Sequence, residues 1–159
     1  MYVTLERIQS ALSLDVLLYL TDDERQGAVA DDAGPRLPDV CLDRVAAKLA
    51  DANAEVDSYV GQRYALPLPA VPDVLAAKAT DLAVYKLFLR RGLRPNTADE
   101  AVAMAYKDAV SWLKDVALGR ASLPVPAAGE GSAGTVRPGG AASVTAADRV
   151  FSRETLKDF

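Results

Sequence analysis

Residues 49–83 read LADANAEVDSYVGQRYALPLPAVPDVLAAKATDLA: an acidic amphipathic helix, a break at two prolines, and a second helix. Upstream of the break, Leu42, Val45, Leu49, Ala52, Val56, Tyr59 and Arg63 alternate three and four apart, so the apolar ones form one narrow stripe. That spacing predicts a helix from about Asp39 to about Gln62, roughly 36 Å long at 1.5 Å per residue. Pro67 and Pro69 remove N–H donors and force an extended path, so the chain turns back. Beyond them Asp73 is positioned to cap a third helix reaching Arg91, with Val74, Leu75, Ala79, Leu82, Ala83, Lys86 and Leu87 on a broad face. Gly92 accepts the left-handed conformation that stops a helix, and Arg90 and Arg91 complement the dipole at that end.

Working outward, Thr97-Ala98-Asp99-Glu100 is a capping box. The helix it starts carries Val102, Ala105, Tyr106, Ala109, Trp112, Leu113 and Val116 on one side and ends at Gly119. Towards the N-terminus, Thr4 can cap a short helix from Leu5 to Leu12, with Leu5, Ile8, Ala11 and Leu12 on one face, and a second short piece runs from Asp15 to near Leu20. Thr21 to Pro38 collects Asp, Gly and Pro without periodicity, which reads as an exposed loop. The short connections make neighbouring helices antiparallel. The expected fold is all-α: a small antiparallel helical bundle with two long central helices, occupying residues 1–123, and a C-terminal extension.

In that extension, residues 124–142 are an Ala, Gly and Pro linker with no apolar period. Residues 143–159 recover pattern, with Val144, Val150, Phe151, Leu156 and Phe159 among Asp148, Arg149, Arg153, Glu154, Lys157 and Asp158. Aromatic anchors after a linker suggest a tail that orders on a partner. The plainer reading is a terminus whose Phe residues fold back on the bundle.

The 159 residues make about one domain with one modest core. A net charge of −4 and a pI near 4.8 argue against a protein held to DNA or an anionic membrane by bulk electrostatics. The single cysteine, Cys41, cannot form an internal disulfide; it suggests folding in a reducing compartment and reads as a packed thiol. Neither a signal peptide nor a membrane anchor is expected, since Glu6 precedes any apolar run and no stretch approaches the ~18 apolar residues of a span. With no histidine at all, serine or cysteine triads of the usual type and most zinc sites fall away.

Weighed one by one, the polar residues point to no catalytic, cofactor or metal site. Glu55 and Asp57 lie two apart on a helix, face different sides, and read as solvated. Asp51 and Glu55 are four apart, but two carboxylates without supporting loop oxygens make a poor calcium site. The glycines from Gly129 to Gly140 lack the preceding strand and the following Gly-Lys-Ser or Gly-Lys-Thr of a phosphate loop. Arg63 can bond the last carbonyls of its helix while Tyr64 packs on the turn, or the pair can face a partner. Arg90, Arg91 and Arg94, beside Lys86, form a basic cluster open to weak phosphate contact.

In ordered combination, certain residues of this chain resemble the phage Mu-like head-tail adaptor (connector) family. These are Tyr2-Val3-Thr4, Leu20-Thr21-Asp22, Asp51 through Tyr59, Arg63-Tyr64 with Pro67 and Pro69, then Ala79, Asp81, Leu82, Ala83, Tyr85, Tyr106-Lys107, Ala109, Leu113 and Leu118-Gly119. The resemblance covers Met1 to Leu123, and Arg149 through Arg153 with the terminal Phe159 look like endings of longer members. It implies a structural virion protein at the head-tail interface. Its partners would be the portal ring, neighbouring copies of itself in a ring (twelve, from the portal's symmetry), a tail or tail-completion protein, and weakly the DNA in the channel; no membrane is involved. Arg63, Tyr64, Arg90, Arg91, Phe151, Arg153 and Phe159 are the expected partner-facing residues. The alternative is a small helical DNA-binding or regulatory protein, which salt-dependent binding to duplex DNA would favour. A histidine-free carboxylate enzyme using Asp51 or Glu55 is a third and least supported reading.

Overall fold

Small hydroxyl side chains open the first two helices, because their oxygens satisfy N–H groups that the first turn leaves without partners. In a computed structural model describing residues 1–31, 34–94, 97 and 99–124, α1 (Leu5–Ala11) starts where Thr4 Oγ1 accepts from Arg7 N–H. Ser13 Oγ accepts from Val16 N–H to start α2 (Leu14–Thr21), one residue ahead of the expected Asp15 start. Three longer helices follow: α3 (Asp39–Val60), α4 (Asp73–Leu89) and α5 (Asp99–Ala117). The cap of α4 is Pro72, whose fixed φ suits the position, and Asp73 is the first helical residue rather than the cap. At the start of α5, Thr97 Oγ1 accepts from Asp99 N–H at 3.3 Å.

The fold is all-α in its load of buried surface, with α4 packed against α1, α2, α3 and α5. From α4 the core takes Leu75, Ala76, Ala79, Leu82, Ala83 and Leu87. From α3 it takes Cys41, Val45, Leu49, Ala52, Val56 and Val60, so the expected stripe is right in position and Cys41 is a buried free thiol. Leu42 and Tyr59 sit at its margin, and Val74, expected on the inner face of α4, is exposed. Ala109, Leu113 and Val116 complete the core from α5.

The stretch from Thr21 to Pro38 differs from the unpacked loop expected. It contains a small antiparallel hairpin, β1 (Val29–Asp31) with β2 (Gly34–Arg36), in the register Val29 to Arg36, Ala30 to Pro35 and Asp31 to Gly34. Three-residue strands carry too little alternation for periodicity to register. Both ends of the stretch are anchored: Thr21 is buried with its hydroxyl donating to Leu17 O at 2.7 Å, and Leu37 is fully buried in the core.

Gly119 stops α5 as expected. It adopts φ of 79°, and Arg120 N–H donates back to Asp115 O at 2.8 Å, satisfying a carbonyl of the last turn. The Arg63 guanidinium lies over the place where a side chain at Gly119 would be, but as the end of a flexible side chain it can move, so the left-handed backbone is what calls for glycine.

Candidate functional site

Three polar arrangements tie the helices together, and a fourth remains incomplete. The first is built on the C-terminus of α2, whose last carbonyls have no helical acceptor role left to fill. Arg91 Nε donates to Tyr19 O and its Nη2 to Asp22 O, both at 2.9 Å; Arg90 Nη1 donates to Leu20 O and Arg44 Nη1 to Thr21 O, both at 2.7 Å. Asp23 lies among these cations, 2.7 Å from Arg90, 3.2 Å from Arg91 and 3.5 Å from Arg44, while Glu24 takes a paired contact from Arg44. Tyr19 lies beneath Arg91 and Arg94, with ring centre to guanidinium distances of 5.7 and 5.9 Å, and its hydroxyl accepts from Arg94 at 2.6 Å.

This changes the reading of the basic cluster. Arg90 and Arg91 do not serve the end of their own helix; their long side chains reach across to α2, and Asp23 counters their charge. Lys86 takes no part, since its amine pairs with Glu55 on α3 at 2.8 Å. The cluster is a clamp between α2, α3 and α4.

The clamp has an acid limit. Backbone N–H groups of Gly27 and Gln26 hold the Asp22 carboxyl below its ordinary value, and the hydrogen bond from Arg44 does the same for Glu24. Groups with depressed folded values contribute stability that is present above their unfolded values and lost as pH falls through the folded ones. Amide exchange at Gln26 and Gly27 is therefore expected to accelerate, relative to amides in α5, on acidification from about pH 5 to about pH 3. An unchanged ratio would show that the carboxylate does not hold this turn.

The second arrangement pins the N-terminus. Asn53, buried on α3, accepts from Tyr2 N–H at 2.6 Å and Val3 N–H at 3.2 Å, and donates to Leu49 O at 2.8 Å and Val3 O at 3.4 Å. Tyr2 adds a hydroxyl bond to Asp57 at 2.5 Å, and burial together with that carboxylate pushes the phenol up. The third joins α3, α4 and α5. Glu55 pairs with Lys86 and accepts from Tyr106 at 3.2 Å, and Tyr106 stacks on Tyr85 at 4.0 Å. Burial, then Glu55, raises the Tyr106 phenol. Glu55 is thus not the solvated side chain expected, and Asp57 is engaged as well; Asp51 pairs with Lys48 at 2.8 Å.

The fourth lies at the α3–α4 corner. Tyr64 packs against the core and its hydroxyl accepts from Leu123 N–H at 2.9 Å, fixing the end of the described chain there. Arg63 does not bond the terminal carbonyls of α3: its Nε and Nη1 are buried without a hydrogen-bond partner among the described residues. A buried donor without an acceptor is costly. In the turn that follows, Leu66 and Val71 are 40% and 38% exposed, and with Met1, Tyr2, Asp57, Pro67 and Leu68 they line a groove of about 380 Å³.

Of the residues expected to face partners, Arg63 and Tyr64 share this corner, whereas Arg90 and Arg91 belong to the clamp. Phe151, Arg153 and Phe159 lie outside the described residues, as do the linker beyond Pro124 and the tail. Sequence reasoning missed Asn53, Arg44 and Asp23 as structural nodes. Asn53 had one detectable signal, a polar side chain adjoining the apolar stripe of α3, but such a residue reads equally well as solvated. Among the described residues no helix is long and apolar enough to cross a membrane.

Comparison with known proteins gives a consistent result. A family model described as Bacteriophage Mu, Gp36 matches residues 2–139. A Mu-like prophage protein, FluMu protein gp36 of Haemophilus influenzae, is 35% identical over 116 residues, covering 73% of this chain and 75% of the relative. Gene product J of Escherichia phage Mu is 33% identical over 72 residues, 45% of this chain and 47% of that protein.

Proposed function

Because the chain belongs to the Bacteriophage Mu Gp36 family, we propose that it is the head-tail connector of a Mu-like phage or prophage, a non-enzymatic virion protein that binds the portal ring and completes the head for tail attachment. The observation that carries this reading beyond the family is the α3–α4 corner. There Arg63 holds buried donors without acceptors, and the turn that follows exposes Leu66 and Val71, features that suit a protein partner offering a carboxylate or carbonyls and an apolar surface.

In this reading the corner and the C-terminal tail meet the portal, and the hairpin arm β1–β2 reaches a neighbouring copy. A head-to-tail contact of that kind repeats until it closes into a ring, with copy number set by the portal. The Asn53 node and the arginine clamp keep the domain rigid, so binding does not have to order it first. The other side of the ring would receive the tail-completion protein. The location follows: the portal vertex of the virion, after assembly in the bacterial cytoplasm.

Co-sedimentation with the purified portal of the same genome, alongside duplex DNA at low and moderate salt, tests the proposal. Portal binding that persists while DNA binding is absent is the expected result. Salt-dependent DNA binding without portal binding would replace the connector with a DNA-binding protein.

A further inference from the structure

The end of the bundle away from the Arg63 corner carries a second candidate surface. Resting on the connector reading, we propose that the cleft between Tyr19, Arg25 and Arg91 is the tail-facing contact, and that it takes from the tail-completion protein a side-chain carboxylate set beside an apolar residue.

Arg25 sets this cleft apart. Its φ of 56° is the left-handed conformation that strains a residue with a side chain, and among the described residues it is the one non-glycine with a positive φ. The loop is held in that form from outside Arg25: Asp22 Oδ1 accepts from Gln26 N–H at 3.0 Å and Oδ2 from Gly27 N–H at 2.8 Å. Arg25 itself is exposed, and its guanidinium has neither a hydrogen bond nor an ion pair among the described residues, whereas Arg44, Arg90, Arg91 and Arg94 are all engaged. No polar contact of the side chain offsets the strain, which points to a use outside the chain.

The rest of the cleft states the chemistry. Its volume is about 420 Å³, and Leu18, Tyr19, Asp22 and Gly27 line it with the two arginines. Tyr19 is 54% exposed, an aromatic surface held between Arg91 and Arg94. Arg91 is fixed through Nε to Tyr19 O and through Nη2 to Asp22 O, which leaves Nη1 without a partner among the described residues. Two guanidiniums with free donors suit one carboxylate, and the surface of Leu18 and Tyr19 suits an apolar neighbour of it. A run of phosphates fits poorly, because Asp22, Asp23 and Glu24 immediately precede Arg25 and repel a polyanion.

Position assigns the side. Arg44, whose guanidinium bonds Thr21 O next to Asp22, lies roughly 24 Å along α3 from Val60, the last residue before the corner. With the corner on the portal, the cleft lies at the far end.

Heads assembled with the full-length chain test this through two separate readings, the copies of the chain per head and the fraction of heads that join tails. Arg25→Gly is the informative variant, because glycine accepts the left-handed backbone and only the side chain is lost. Its Tm and its occupancy on heads are expected to match wild type, while tail joining falls by roughly tenfold or more. Arg25→Asn, which also tolerates that conformation, is expected to behave alike. Full tail joining by either variant would overturn the inference and leave the connector reading intact. Heads that join tails normally but lose packaged DNA would overturn it too, giving the cleft to DNA. Wild-type heads that lack the chain would overturn the connector reading, and this inference with it.

Discussion

Asn53→Ala is expected to destabilise the domain by about 2–4 kcal/mol, the largest effect of any single side-chain truncation considered, because it removes the partner of three backbone groups at once. Tyr2 N–H, Val3 N–H and Val3 O all meet the Asn53 amide, which is buried. Val3 is itself fully buried, so releasing the N-terminus also opens the face of the bundle that it covers. For a domain of this size the loss corresponds to a fall in Tm of roughly 10 °C. Tyr2→Phe, which removes the hydroxyl bond to Asp57 and leaves the amide contacts intact, should cost about 1 kcal/mol. Denaturant titration of the two variants separates these values. Similar losses for both would mean that the Tyr2 hydroxyl bond to Asp57 holds the N-terminus as firmly as the Asn53 amide does.

The second large effect concerns assembly rather than folding. A chain ending at Pro124 retains Leu123 and its bond to Tyr64, hence every core contact described, and should keep its helicity and cooperative melting. On the connector reading it nevertheless loses affinity for the portal by at least ~100-fold, the equivalent of about 3 kcal/mol from two aromatic anchors. Circular dichroism and portal co-sedimentation on one preparation give both answers. Full portal binding by the truncated chain would remove the tail from the mechanism and leave the Arg63 corner to account for it.

How far the sequence alone foretold this structure depends on the range of the interaction. The three long helices were legible because their determinants are local: the stripe from Val45 to Val56, the prolines at 67 and 69, and the glycines at 92 and 119 act within a few residues of themselves. The destinations of long side chains were not. Arg90 and Arg91 sit where dipole compensation predicts cations, yet their guanidinium groups cap α2, some seventy residues earlier, a contact that no spacing rule encodes. Glu55 read as solvated because its partners, Lys86 and Tyr106, come from two other helices. The hairpin escaped notice because its strands are shorter than the period needed to recognise them. At the candidate site, the sequence placed Arg63 and Tyr64 just past the end of α3, where they lie. It did not foresee that Tyr64 would fix Leu123 while Arg63 was left with buried donors and no acceptor.

Native mass spectrometry of the full-length chain mixed with the intact portal of the same genome addresses the central claim most directly. A complex carrying one copy of the chain per portal subunit is the result predicted for a connector ring. An unliganded portal beside a folded, unbound chain would contradict it.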